Sequence, residues 1–261
     1  MIALSLLLAL TAHLPSNAAV QDTTAASVIV TIDKDEHQRY IVHAPAADVQ
    51  VPKNGWKLLV VMPGGSGSED FTPFVGRIRE NALSDEWIVL QLIAPVWSEA
   101  QAQTNVWPTK LNPWPKMKFD CEHLFAAALK DVAKKHPLNP RYLFTLAWSS
   151  SGSLAYTLAL AKNSSVTGTF IAMSVYKPDL LPKLKHAKGR RFHILHSPTD
   201  FIPITMAEKA REQLEEKKAL VNYATYEGGH GWHGNVFGML RIGLEWLEVE
   251  AQKAKLRKGA K

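Results

Sequence analysis

Three residues of this 261-residue chain bear the side chains that an activated nucleophile needs, and each stands shortly after an apolar run: Ser149, Asp200 and His230. A serine hydroxyl attacks poorly by itself. An imidazole within hydrogen-bond reach takes its proton during attack, and a carboxylate on the other ring nitrogen sets the tautomer and stabilises the imidazolium as it forms. Each residue also has a plainer reading, so its surroundings decide its weight.

Ser149 lies in Arg141-Tyr-Leu-Phe-Thr-Leu-Ala-Trp-Ser149-Ser150-Ser151-Gly152-Ser-Leu-Ala-Tyr156, an apolar strand that runs through serines into a helical pattern. A strand turning sharply into a helix lifts one side chain above the sheet edge, and the crowded turn demands small residues two positions to either side. With Ser149 at the apex those positions hold Ala147 and Ser151 in place of the usual glycines. With Ser150 at the apex they hold Trp148 and Gly152. The plainer reading is a serine-rich turn capping a helix, a role serine favours. Asp200 lies in His196-Ser-Pro-Thr-Asp200-Phe-Ile-Pro203, where it either meets a histidine or caps a turn ahead of the helical stretch from Met206. His230 lies in Tyr226-Glu-Gly-Gly-His230-Gly-Trp232, flanked by glycines that leave the ring free to swing inward.

A fourth segment, Pro63-Gly64-Gly65-Ser66-Gly67-Ser68, follows another apolar run. It lacks the Gly-Lys-Ser/Thr ending of a phosphate loop, which argues against nucleotide binding. It reads as a plain flexible turn or as a bend that aims a backbone N–H at a developing negative charge.

The elements that must position these residues follow from the apolar pattern. Ser27 to Ile32 and Arg39 to Val42 flank a charged turn and predict an N-terminal hairpin at an antiparallel sheet edge. Short apolar runs at Lys57 to Met62, Trp87 to Ile93, Tyr142 to Ala147, Thr167 to Ser174, Phe192 to His196 and Leu220 to Tyr226 predict strands buried on both faces. Amphipathic stretches at Phe119 to Lys135, Ser153 to Lys162, Met206 to Lys218 and Val236 to Ala251 predict helices between them. Strand alternating with helix implies a mostly parallel, doubly wound α/β sheet, whose ligand crevice lies at the carboxyl ends of the strands. All four motifs fall there.

Composition narrows the class. The length suits a single domain over residues 20–250. Residues 1–19 read as a signal peptide, with an apolar run from Ile2 to Ala12 and a cleavage site near Ser16-Asn17-Ala18, although no Lys or Arg precedes the run. The expected location is therefore secreted or periplasmic, with no transmembrane segment in the mature chain. The net charge of +6 is concentrated in a basic tail, 251–261, with Lys253, Lys255, Arg257, Lys258 and Lys261. No aromatic-interleaved basic face suggests nucleic-acid binding. The single cysteine, Cys121, excludes an intramolecular disulfide and reads as a buried, inert thiol. His230 with His233, and Asp120 with Glu122 and His123, match no metal-ligand pattern, so neither a metal nor another cofactor is expected. The long stretch from Trp97 to Lys118, with Trp97, Trp107 and Trp114, either walls the pocket with aromatic surface or covers the core.

The order Ser149, Asp200, His230, each after a strand, is that of α/β-hydrolases. The segment from Phe192 to Leu247, with His-Ser-Pro-Thr-Asp200-Phe-Ile-Pro, Tyr-Glu-Gly-Gly-His230-Gly-Trp, Gly238 and Trp246-Leu247, resembles the phospholipase/carboxylesterase group of that superfamily, which includes acyl-protein thioesterase-like enzymes. The resemblance extends from about Lys57 to Leu247. It implies Ser149 as nucleophile, Asp200 as acid, His230 as base, and the N–H groups of Gly65 and Ser150 as the oxyanion hole. Pro63 departs from the histidine that many relatives carry before the oxyanion glycine. The two elbow glycines are also missing, which leaves Ser150 as a second candidate, and the bulk of Trp148 favours Ser149. Trp97, Trp148 and Trp232 are candidate substrate contacts. The expected activity is hydrolysis of a carboxylic ester, or of a thioester, through an acyl-enzyme. The alternatives are a peptidase of the same fold, since Trp before the nucleophile also occurs in prolyl-oligopeptidase-like domains, and an exported binding module without turnover.

Overall fold

A computed structural model describes residues 28–259. The expected signal peptide, residues 1–19, lies outside the described residues.

The N-terminal hairpin forms as expected from β1 (Ile29–Thr31) and β2 (Arg39–His43). It joins β3 (Trp56–Met62), β4 (Trp87–Ile93), β5 (Leu138–Trp148), β6 (Gly168–Ala172), β7 (Arg191–His196) and β8 (Leu220–Thr225) in one eight-stranded sheet of order β1-β2-β4-β3-β5-β6-β7-β8. Pairing is antiparallel between β1 and β2 and between β2 and β4, and parallel from β4 to β8. Alternation along β3 shows why the sheet is covered on both sides. Leu58, Val60 and Met62 enter one core with the helices α3 (Cys121–Lys135), α4 (Gly152–Leu160) and α5 (Ile204–Glu216), whereas Leu59 and Val61 enter a second with α1 (Thr72–Ala82) and α6 (Val236–Gly259).

Four expectations change in detail. The strand within Thr167 to Ser174 stops at Ala172, because Met173 adopts a φ of 41° and turns the chain away from the sheet. The run in β8 is half-buried rather than enclosed, since β8 is the sheet edge. The stretch after the serines is not amphipathic: every residue of α4 except Ser153 is buried, as expected for a helix that is apolar all round. The last helix continues to Gly259, so the boundary expected at residue 250 falls inside α6, where Ala251 is buried.

Two helices had no counterpart in the sequence reading, α1 and the short α2 (Glu99–Thr104). Among the described residues, no helix is long and apolar enough to cross a membrane.

Candidate active site

Strand β5 ends at Trp148, and the next residue, Ser149, has a φ of 55°. A non-glycine residue in this region costs on the order of 1–3 kcal/mol and persists only where the surroundings enforce it. Here they do. The Ser174 hydroxyl donates to the Ser149 carbonyl at 2.6 Å. The buried Ser151 hydroxyl accepts from the Trp148 N–H at 3.0 Å and donates to the Met62 carbonyl at 2.6 Å, joining the ends of β3 and β5. The turn passes through a single 3-10 turn, Ser149–Ser151, into α4. A Cβ on Gly152 would lie 2.0 Å from Ser174 Oγ, so the close approach of that serine requires glycine.

The elbow holds Ser149 Oγ 3.0 Å from His230 Nε2. His230 Nδ1 lies 2.9 Å from both carboxylate oxygens of Asp200. A carboxylate only accepts, so Nδ1 carries the proton and Nε2 faces the serine hydroxyl as an acceptor. The Asp200 side chain is fully buried and the imidazole is 23% exposed, which shields the carboxylate while leaving the ring open to solvent. Ser150 does not share this arrangement: its hydroxyl donates instead to the Gly65 carbonyl at 2.9 Å. That bond draws the loop after β3 against the elbow and sets the backbone of Gly65 beside that of Ser150. Gly64 in the same loop rests on Trp148, where a Cβ would fall 2.5 Å from the indole.

The loops bearing Asp200 and His230 are tied together. The Ser197 hydroxyl accepts from the Gly229 N–H at 3.1 Å. The Asp200 carboxylate accepts from the Ile202 N–H at 2.8 Å, and His196 Nε2–H donates to the Ile202 carbonyl at 2.9 Å. The buried Tyr226 hydroxyl lies 2.9 Å from the Gly229 carbonyl and 2.8 Å from that of Gly231, bracketing His230. Burial, assisted by the nearby Asp200 charge, raises the phenol to about 12, so it is held as a neutral donor. The glycines beside His230 thus serve a pinned loop rather than a free ring. Gly228 and Gly231 take φ values of 127° and 122°, a region reserved for glycine.

Of the tryptophans expected to contact substrate, Trp148 and Trp232 belong to one aromatic cluster beside the elbow. Their ring centroids are 5.8 Å apart, Phe71 and Phe74 each meet Trp148 edge-on at 5.7 Å, and Phe74 also meets Trp232. Trp148 is itself buried and supports the site from beneath. Trp97 instead packs between His37 and Phe119, with no ring contact to His230, because its loop folds back against the segments that lead into β2 and α3. The same loop buries Trp107, whose indole N–H donates to the Pro63 carbonyl at 3.1 Å and braces the glycine-rich loop. It therefore acts here as cover.

Asp120 caps α3 through the His123 N–H, and Glu122 accepts from the Lys110 N–H. Cys121 is buried with its thiol pushed up by desolvation, as an inert thiol requires. Sequence reading missed Tyr226, Ser174, Ser197 and Phe74. Ser174 and Ser197 act on backbone groups 25 and 32 residues away, Tyr226 braces its own loop three and five residues on, and Phe74 comes from the unexpected α1.

No family model and no curated protein matches the sequence. Solved structures do. An α/β hydrolase enzyme from a Medee basin deep-sea metagenome library superposes with a TM-score of 0.61 at 15% identity, covering 87% of this chain and 98% of that one. The chain has the α/β-hydrolase fold. A carboxylesterase from Mesorhizobium loti gives a TM-score of 0.57 at 18% identity over 85% of this chain and 98% of its own. Thermogutta terrifontis esterase 2, in a structure phosphorylated by paraoxon, gives 0.62 at 13% identity over 85% and 92%.

Proposed function

We propose that this protein is a serine esterase that cleaves carboxylic esters through an acyl-enzyme. The observation that carries this reading is the relay Ser149 Oγ–His230 Nε2–Asp200, at 3.0 Å and 2.9 Å, with the serine held at positive φ on a strand-to-helix turn. His230 Nε2 takes the hydroxyl proton as Ser149 Oγ attacks the ester carbonyl, and Asp200 stabilises the imidazolium. The N–H groups of Gly65 and Ser150 receive the oxyanion, and the bond from the Ser150 hydroxyl to the Gly65 carbonyl supports this by holding the two segments together. The imidazolium then protonates the departing alcohol. Water, activated by the same histidine, releases the acid. The sequence of steps needs no cofactor. Carboxylesterases and an organophosphate-reactive esterase among the similar folds support an ester as the substrate class.

Hydrolysis of a p-nitrophenyl ester series by the wild type and by Ser149→Ala tests the reading. The variant is expected to lose about 10⁴-fold or more in kcat while keeping its thermal transition. A fluorophosphonate adduct is expected on the peptide carrying Ser149. Undiminished turnover by Ser149→Ala, or an adduct on Ser150, would overturn it.

A further inference from the structure

The ring of Phe201 lies against the His230 imidazole, with centroids 4.2 Å apart and planes tilted by 41°, yet Phe201 is 76% exposed. Slack backbone does not account for the display. The Asp200 N–H donates to the Ser197 carbonyl at 3.2 Å on one side. On the other, the Ile202 N–H is held by the Asp200 carboxylate, its carbonyl by His196, and its side chain is buried. The chain is fastened before and after Phe201, which leaves the ring as a fixed apolar ledge beside the catalytic base.

That ledge has a place in the acylation step, on the serine-esterase reading given above. The bond from Ser149 Oγ to the acyl carbon forms, and the bond from that carbon to the alcohol oxygen breaks with its electron pair on the oxygen. The oxygen takes the proton from His230 Nε2. It must therefore sit within hydrogen-bond reach of Nε2, about 3 Å. The carbon skeleton attached to it then leaves past the imidazole and the ring beside it.

We propose that Phe201 forms the leaving-group subsite, and that the protein favours esters whose alcohol part is aromatic or otherwise broad and apolar over those of small alkyl alcohols. An exposed ring gains from being covered by an apolar group, and a second aromatic ring gains further from offset or edge-on contact.

The test is kcat/KM for benzyl acetate and ethyl acetate, followed by pH-stat, in the wild type, Phe201→Ala and Phe201→Trp. Comparing the ratio of the two substrates between enzymes cancels their intrinsic reactivity. The benzyl-to-ethyl ratio is expected to fall about tenfold in Phe201→Ala, equivalent to about 1.4 kcal/mol. In Phe201→Trp, which restores a planar ring, it should stay within about threefold of wild type. An equal fall for both substrates in Phe201→Ala would show that the ring only props His230, and unchanged kcat/KM for both would show that it contacts no leaving group. Either overturns the proposal while leaving the esterase intact. A wild type inert to both esters and unlabelled at Ser149 by fluorophosphonate would instead defeat the esterase reading, and this one with it.

Discussion

Replacing Ser151 with glycine, the residue usual at that position of a nucleophile elbow, is expected to weaken this protein. Its side chain is buried, and its hydroxyl is spliced between the Trp148 N–H and the Met62 carbonyl at the end of the β3/β5 ladder, at 3.0 Å and 2.6 Å. Removing it leaves a buried donor and a buried acceptor without that partner. Each unmade bond costs about 1–3 kcal/mol, part of which the ladder recovers if Trp148 N–H and the Met62 carbonyl close on each other. Ser151→Ala isolates the hydroxyl and should cost about 2–3 kcal/mol. Ser151→Gly adds the backbone entropy of glycine, roughly 0.5–1 kcal/mol more.

At about 2–4 °C per kcal/mol for a chain of this size, the glycine variant should melt about 10 °C below wild type. Urea titration is the matching assay: the midpoint should fall with the slope unchanged, which separates lost stability from a change in the unfolded chain. Turnover should fall as well, because the same hydroxyl anchors the residue before Ser149. A Ser151→Gly protein as stable and as active as wild type would show that position 151 needs only a small side chain, and that the bonds across the ladder end contribute nothing.

Tyr226→Phe removes the hydroxyl shared between the carbonyls of Gly229 and Gly231. It is expected to lower kcat about tenfold with a smaller change in KM, since a loosened His230 impairs proton transfer more than binding. Equal fractional losses of kcat and active protein would indicate misfolding instead. Acid stability is set partly by His193, which is buried against Phe170 with Nδ1 unpartnered and is pushed down to about 4 by desolvation. Its folded pKa lies below the unfolded value of 6.5, so the unfolded chain binds the extra proton between them. Its contribution is complete above pH 6.5 and is lost as pH falls towards 4, by roughly 3 kcal/mol. Urea midpoints over that interval should decline less steeply for His193→Phe than for wild type; parallel curves would exclude the residue.

The parts of the fold that were legible in the sequence are those where burial alone dictates the residue. Trp87 to Ile93 is apolar except for Gln91 because β4 is enclosed on both faces, and its limits agree with the structure. Ser149, Asp200 and His230 were legible because each follows an apolar run within a few residues, and the structure draws all three into contact. Less visible were features set by partners far along the chain. Helix α1 carries Arg79 on its buried side, paired with Asp85 across a turn, which blurs its apolar stripe. Phe71 and Phe74 acquire meaning only when α1 brings them to Trp148. Trp97 shows the converse: aromatic content suggested a pocket wall, but residue type does not encode the direction in which a long loop folds.

The serine knot itself shows how an elbow dispenses with its usual glycines. The customary demand at the flanking positions combines a backbone requirement with a space requirement, and here they separate. Neither Ala147 nor Ser151 has a positive φ; only Ser149 does, and its strain is restrained from outside by the Ser174 hydroxyl on its carbonyl. A methyl at position 147 is accommodated in the core, and a hydroxymethyl at 151 fills the space a glycine would leave with a group that bonds the ladder end. The space requirement reappears one residue later. Bringing Ser174 close enough to hold the Ser149 carbonyl leaves no room for a Cβ at position 152. The glycine has moved by one residue because the elbow is braced by a neighbouring loop. Gly152 therefore marks the approach of Ser174, and its presence does not argue for Ser150 as the apex.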